Sequence, residues 1–272
     1  MAQQRMRSEV FGEAVDAYEA ARPDYPAALV DDVLDYAAEG LGAAGIGRVV
    51  ESGAGTGKAT TAFAARGLNL TSIEPDPRMA RVLARKCREF PHTTIEISRF
   101  EDWSDSAAPV DLLISAQAWH WVDPATRWDR AARILTPGGA VAVWWNNYSL
   151  SEAAYRAELQ DVHARHGVPE IAEITLGRDG DPEHVADHDW PYPELLAHPD
   201  FQDVRRRAYE RSLAFGPERY TDLLQSLSSY RILEDAARDG LLAELAAVVA
   251  SHGELVLTVT TNLYLARTAR VG

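Results

Sequence analysis

Glu51-Ser52-Gly53-Ala54-Gly55-Thr56-Gly57-Lys58 sets three glycines on alternate positions behind a carboxylate. The apolar run Val49-Val50 precedes it, and a helical pattern, Ala59-Thr60-Thr61-Ala62, follows. The order is that of a strand, a tight turn and a helix N-terminus. Glycine permits positive φ there and lets a ligand approach the backbone closely. The unpaired N–H groups of a first helical turn favour an anionic group. The segment is therefore suited to a nucleoside-like ligand that carries a carboxylate or a phosphate.

Three further groups fall at the ends of later strand-like runs. Glu74, in Ile73-Glu74-Pro75-Asp76, lies about 20 positions beyond the glycine turn, where a carboxylate can accept both hydroxyls of a ribose. In Ser98-Arg99-Phe100-Glu101-Asp102-Trp103 a ring and a carboxylate can bracket a flat base. Ala116-Gln117-Ala118-Trp119-His120-Trp121 places an imidazole between two indoles. His120 is the candidate general base, since an ordinary imidazole titrates near ~6.5. A reaction in which no proton is lost needs no base, and His120 then only positions the ligand.

Dinucleotide folds space their glycines G-x-G-x-x-G. Here Gly57 comes one place early and Lys58 stands where the third glycine would be. An NAD-dependent oxidoreductase on a related sheet shares the glycine turn and Glu74 but leaves that early glycine and the Gln117–Trp121 segment unexplained. A non-catalytic cofactor-binding protein is a third reading, against which His120 and the tryptophans weigh.

The order E-x-G-x-G-x-G resembles the first motif of the class I S-adenosylmethionine-dependent methyltransferases. Phe11, Tyr18, Arg22-Pro23-Asp24-Tyr25-Pro26, Ile73-Glu74-Pro75-Asp76, Ala116–Trp121 and Leu227-Ser228-Ser229-Tyr230 resemble its small-molecule branch, which includes trans-aconitate-type methyltransferases. The likeness spans most of the chain apart from about 150–200. It implies a doubly wound, mostly parallel seven-stranded α/β sheet with an antiparallel last strand. It also implies a single domain over residues 1–272, with 148–200 as a cap or substrate-shaping insertion. The cofactor it implies is S-adenosylmethionine, with Glu51, Gly53, Gly55 and Gly57 at the methionine end. Glu74 and Pro75 fall by the ribose, and Phe100 and Glu101 by the adenine. Gln117, Tyr18, Arg22 and Tyr25 would close over the methionyl part. Arg99 and Phe100 depart from the small or acidic residues frequent at the adenine motif. Trp119, Trp121 and Trp145 are expected to line the acceptor pocket, where aromatic faces attract a sulfonium. The reaction implied is methyl transfer to a small molecule, at a carboxylate or hydroxyl oxygen.

These groups need strands and helices to carry them. The alternation predicts strands at Val49–Glu51, Leu70–Glu74, Thr94–Ile97, Val110–Ser115 and Ala140–Trp145. Between them it predicts helices at Lys58–Arg66, Pro77–Glu89 and Asp123–Leu135. Such alternation implies a parallel sheet with helices on both faces. Helices are also expected over Phe11–Ala21, Ala27–Ala38, Ser151–His166, Pro217–Gln225 and Ile232–Ala250. Strands are expected over Phe201–Leu213 and Glu254–Ala266, and Gly177–Pro193 reads as an irregular loop.

Composition narrows the partners. The 272 residues carry a formal net charge of −14 without a basic block, which argues against nucleic acid or an anionic membrane surface. The single cysteine, Cys87, excludes an intramolecular disulfide and fits a reducing, cytoplasmic location. No apolar run reaches the ~18 residues of a membrane span. His184 and His188, with Asp187 and Asp189, and the pair His163 and His166 have helical spacings that invite a metal. His184 and His188 fall in an expected loop, where helical spacing means little, and no carboxylate cluster falls at the strand ends, so no metal is expected.

Overall fold

The computed structural model describes residues 22–104, 109–177 and 190–270. In chain order the elements are α1 (Ala27–Leu41), β1 (Arg48–Ser52), α2 (Lys58–Ala64), β2 (Asn69–Ile73), α3 (Pro77–Lys86), β3 (Thr93–Glu96) and β4 (Val110–Ala116). Then come α4 (Arg127–Ile134), β5 (Leu135–Ser149), α5 (Ala153–Arg165), α6 (Pro169–Leu176), α7 (Tyr192–Ala197) and β6 (Phe201–Phe215). The last are α8 (Pro217–Gln225), α9 (Ser228–Arg231), α10 (Asp235–His252) and β7 (Leu255–Thr268). The helix expected over Phe11–Ala21, most of the loop expected over Gly177–Pro193, and Tyr18, His184 and His188 lie outside the described residues.

The strands form one seven-stranded sheet in the order β3-β2-β1-β4-β5-β7-β6. The pairs β1–β2, β2–β3, β1–β4 and β4–β5 are all parallel. The sheet is mostly parallel with one antiparallel strand, as the sequence led us to expect. From β1 the chain steps outward through β2 and β3, then returns to the other side of β1 as β4. That reversal leaves a crevice outside the carboxyl ends of β1 and β4, where ligands of open α/β sheets bind.

By contact density the chain divides into two compact units. One comprises Met1–Pro23, Asn146–Ala186 and Glu210–Thr260, and the other Asp24–Trp145, Asp187–Tyr209 and Thr261–Gly272. The first unit is assembled from three separate stretches.

The second unit holds β1 to β4 and is buried on both faces of its sheet. Successive strand residues point to opposite faces. Val49, Leu112, Ile114, Ala142 and Trp144 accordingly share one apolar cluster with Leu29, Val33 and Phe63. Val50, Leu113, Val141 and Val143 share the other with Trp119 and Trp128. Helix α3 starts where Pro77 supplies a fixed φ and Asp76 caps, its Oδ1 accepting from Arg78 N at 2.7 Å. The first unit has its own core, in which Leu159 and Val162 of α5, Leu223 and Leu224 of α8 and Leu245 and Val249 of α10 meet Leu255 and Leu257.

Both histidines of the α5 region are engaged within that unit. His163 is fully buried, its Nδ1 at 2.7 Å from the Leu159 carbonyl and its Nε2 at 2.8 Å from the Tyr230 hydroxyl. The carbonyl only accepts, so Nδ1 carries the proton and Tyr230 donates to Nε2; burial holds this imidazole below its usual pKa. His166 pairs with Glu244 at 2.9 Å.

Candidate active site

The glycine turn follows β1 and enters α2. Gly53, Gly55 and Gly57 all take left-handed φ, at 72°, 57° and 89°. Their surroundings differ. A Cβ on Gly53 would lie 2.3 Å from the Ala118 Cβ, and one on Gly57 would lie 2.5 Å from Leu83 Cδ1. Among the described residues a Cβ on Gly55 would meet only Met79 Sδ, at 4.0 Å. Gly53 and Gly57 are thus required by packing, while Gly55 faces open space. Gly53 and Ala54 both donate to the Ile73 carbonyl, at 2.9 and 3.0 Å, tying the turn to the end of β2.

Glu74 completes that tie. Its Oε2 accepts from Gly55 N at 2.7 Å and its Oε1 from Asp76 N at 2.8 Å. The side chain is 5% exposed, and burial pushes its pKa up to about 7 against the two N–H donors. Each carboxylate oxygen has a second lone pair for a ligand hydroxyl.

Glu51 has two tasks. The N-cap residue of helix α2 is Gly57, which has no side chain to cap it. The Glu51 carboxylate takes that place, accepting from the Thr60 hydroxyl at 2.5 Å and from the Thr60 backbone N–H. Ser72 of β2 donates to the same Oε2 at 3.0 Å. Among the described residues Oε1 is buried and has no partner, and desolvation pushes the pKa up to about 7. A buried, unsatisfied carboxylate oxygen beside a glycine turn suits a cationic or donor group of a ligand. Thr60 and Ser72 were not singled out in the sequence. Thr60, three residues past the last glycine, carried the N3 position as its only signal.

Strand β4 brings the third component. Ser115 Oγ donates to the Ser52 carbonyl at 2.9 Å and fastens the ends of β4 and β1. Gln117 follows with φ 59°, a left-handed conformation that non-glycine residues rarely hold, and its N–H donates to the Trp144 carbonyl at 2.9 Å. Strain of this kind gathers at ligand sites. Ala118, the next residue, is the one that Gly53 touches. Glu74 is thus bonded to Gly55, Gly57 N–H bonds the Ala54 carbonyl within the turn, Ala118 lies against Gly53, and Gln117, its neighbour, is tied to the end of β5.

Other expected residues are placed differently. Trp119 is fully buried, its ring 5.2 Å from Phe100 and 5.1 Å from Trp128. It packs in the core and offers no face to an acceptor. Phe100, 3% exposed, is a core ring as well, with Arg130 lying 5.3 Å over it. Glu101 accepts from Asp123 N at 2.8 Å and fixes the loop ahead of α4. Tyr25 packs edge-on against Trp144 at 5.5 Å. Arg22 belongs to the first unit, where it donates to Ser226 Oγ at 2.8 Å and to the Ser226 carbonyl at 3.1 Å.

The outer aromatic residues form a separate group. His120 is exposed and Trp121 is 38% exposed, with rings 4.7 Å apart. Trp145 Nε1 donates to His120 Nδ1 at 3.1 Å, and its ring lies 5.0 Å from Trp190. Trp190 was not expected here. It sits under the Arg127 guanidinium at 4.6 Å, and Arg127 in turn bonds both oxygens of Glu194, at 2.9 and 2.8 Å.

Comparison with known proteins bears on the family and the fold. Residues 50–143 match the family described as Methyltransferase domain. An uncharacterized methyltransferase of Mycobacterium tuberculosis is 37% identical over 90% of this chain and 87% of its own length. An uncharacterized methyltransferase-like protein of Schizosaccharomyces pombe is 27% identical over 87% of this chain and 84% of its own. The structure of a putative type II methyltransferase from Anaeromyxobacter dehalogenans shares the fold, with a TM-score of 0.62 at 24% identity, covering 92% of this chain and 99% of that one. With a glycine turn, a strand-end carboxylate and a relative of this identity and coverage, the chain belongs to the class I methyltransferases, enzymes whose methyl donor is S-adenosylmethionine.

Proposed function

We propose that this methyltransferase methylates a small organic molecule at oxygen, with a carboxylate as the leading acceptor and a hydroxyl as the alternative. The observation that carries the donor half is Glu74, nearly buried yet bonded through Oε2 to Gly55 N at 2.7 Å, beside the one glycine of the turn that opens to space. Residues of that kind fit the donor: an orphaned Glu51 Oε1 for its methionine end, and Glu74 with Pro75 for its ribose. Glu101 and the backbone around it are assigned to the adenine side, and Gln117 and Tyr25 to the methionyl end.

When bound, S-adenosylmethionine supplies a methyl group already activated on a sulfonium. The chain then has to hold the acceptor in line and keep water away. His120, Trp121 and Trp145 suit that task, being aromatic and grouped after β4 and at β5. A wall of this kind matches a small organic acid or alcohol better than a polyanion. The net charge of −14 points the same way, and the single cysteine, buried at Cys87, fits a reducing cytoplasm. Among the described residues no helix is long and apolar enough to cross a membrane.

Incubation of a cell extract with the enzyme and a methyl-labelled donor tests the reading. The expected result is label in the low-molecular-weight fraction, in a product that mild base cleaves as an ester, or in a base-stable methyl ether where the acceptor is a hydroxyl. Label confined to protein or nucleic acid, or a base-stable N-methyl product, would contradict it.

A further inference from the structure

We propose that the base of the methyl donor rests against Ile97 and the Arg99 guanidinium, which hold its faces and leave the exocyclic amino group of adenine unread. The enzyme then accepts a nucleoside whose base is hypoxanthine as readily as one whose base is adenine. The inference rests on the methyl-transfer reading above and names the residues that meet the base within it.

The order of the strand tips gives the base its place. In that reading Glu51, on β1, takes the methionine end and Glu74, just after β2, takes the ribose hydroxyls. A nucleoside carries its base across the sugar ring from the 5′ substituent. In the sheet order β3-β2-β1 the base therefore falls toward β3. The two outer strands end level, with Ile73 opposite Glu96 and Glu74 N donating to the Glu96 carbonyl at 3.0 Å. Ile97 is the first residue past β3.

What the chain presents there is an apolar side chain and a cation. Ile97 is 62% exposed, more than any other large apolar residue among those described, and Pro75 is exposed as well. Arg99 is exposed, and among the described residues its guanidinium has no hydrogen-bond, ion-pair or ring partner. Its backbone is nevertheless fixed. The Arg99 carbonyl accepts from Asp102 N at 3.2 Å and from Trp103 N at 3.0 Å, and the rings of Phe100 and Trp103 are buried. A base laid on these residues would cover the apolar surface of Ile97 and give the planar guanidinium a π-face.

Recognition of the amino group would need an acceptor. Glu96 already accepts from Trp103 Nε1 at 2.9 Å, and Glu101 from Asp123 N at 2.8 Å. Arg99 only donates, so it offers nothing to an amino group, whereas it suits the 6-oxo group of hypoxanthine.

Calorimetric titration of the full chain with S-adenosylhomocysteine and with S-inosylhomocysteine, its hypoxanthine counterpart, tests the proposal. Stacking tolerates any base, so the two affinities should agree within about threefold. Arg99→Ala should weaken both by about tenfold, the worth of a cation on a π-face. Arg99→Glu supplies an acceptor for the amino group and should favour adenine by about tenfold. Both side chains are exposed, so circular dichroism should show the variants folded. A wild-type preference for adenine of about tenfold or more would mean that a carboxylate such as Asp102 reads the amino group, and would overturn the proposal. So would unchanged affinity for both ligands in Arg99→Ala, or no preference between them in Arg99→Glu. Failure of the wild type to bind either ligand would instead overturn the methyl-transfer reading.

Discussion

Gly53 and Gly55 stand two residues apart and are needed for different reasons. Gly53 has no room for a methyl group because Ala118 would lie 2.3 Å away, so Gly53→Ala combines overpacking with left-handed strain. A loss of about 1–3 kcal/mol in chemical denaturation is expected. Gly55 has room, and Gly55→Val should leave a folded chain by circular dichroism that no longer binds S-adenosylhomocysteine. Retained affinity would show that the open space beside Gly55 is not the ligand's. Glu51 and Glu74 make a second point at this scale. Burial raises both from 4.5 to about 7. A carboxyl whose folded pKa lies above its unfolded value contributes stability below about pH 4.5, and that contribution disappears as pH rises through about 7. The ligand-free protein should therefore lose stability between those values on account of these two groups. Ligand hydroxyls prefer the ionised carboxylate, so binding should release protons. Affinity for S-adenosylhomocysteine should be about tenfold weaker at pH 6 than at pH 8. Calorimetry in buffers of different ionisation enthalpy measures that proton release, and Glu74→Gln should reduce the pH dependence.

At the scale of elements, β1, β2 and α2 form one device. The Glu51 carboxylate caps α2 through Thr60 and reaches Ser72 on β2. Thr60→Val keeps the shape of the side chain but removes a donor from a buried carboxylate. It should cost about 1–3 kcal/mol in urea denaturation. A neutral result would mean that α2 does not need this cap. The same elements show what the sequence made legible. Strands β1 to β4 and helices α2 and α3 were readable because glycines, Pro77 and Asp76 mark their ends and apolar residues their interiors. Strand β5 runs from Leu135, five residues earlier than expected, because Thr136-Pro137-Gly138-Gly139 has the composition of a turn. Helix α4 begins at Arg127, not at Asp123, since Asp123 N is bonded by Glu101 and Trp119–Trp121 forms a 3-10 turn ahead of it. Helices α6 and α7 were not foreseen, although Pro169 and Pro193 at their first turns signalled helix starts. At the strand ends, the turn conformation of the motif glycines and the position of Glu74 after β2 were legible from spacing alone. Trp119 and Phe100 could not, because a ring in a motif does not reveal whether its face is covered. The partners Thr60, Ser72 and Trp190 come from other elements and are brought in only by folding.

For the whole molecule, the two units give a convenient readout. All seven tryptophans fall in the unit that contains the glycine turn, and the other unit has none. Tryptophan fluorescence therefore reports on the unit expected to hold the donor. Thermal unfolding followed in this way should shift upward with S-adenosylhomocysteine, by the equivalent of about 2.7 kcal/mol at a hundredfold excess over Kd. A shift seen by circular dichroism but not by tryptophan fluorescence would place the ligand elsewhere. The strong negative charge adds that nucleic acid should not compete for the protein at physiological salt. The claim on which the rest depends is that the ends of β1, β2 and β4 hold the methyl donor. Titration of S-adenosylhomocysteine into the protein at neutral pH tests it most directly. The account predicts saturable binding of one ligand per chain, lost in Gly55→Val. No binding up to about 1 mM, the upper range of ordinary enzyme–ligand affinities, would contradict it.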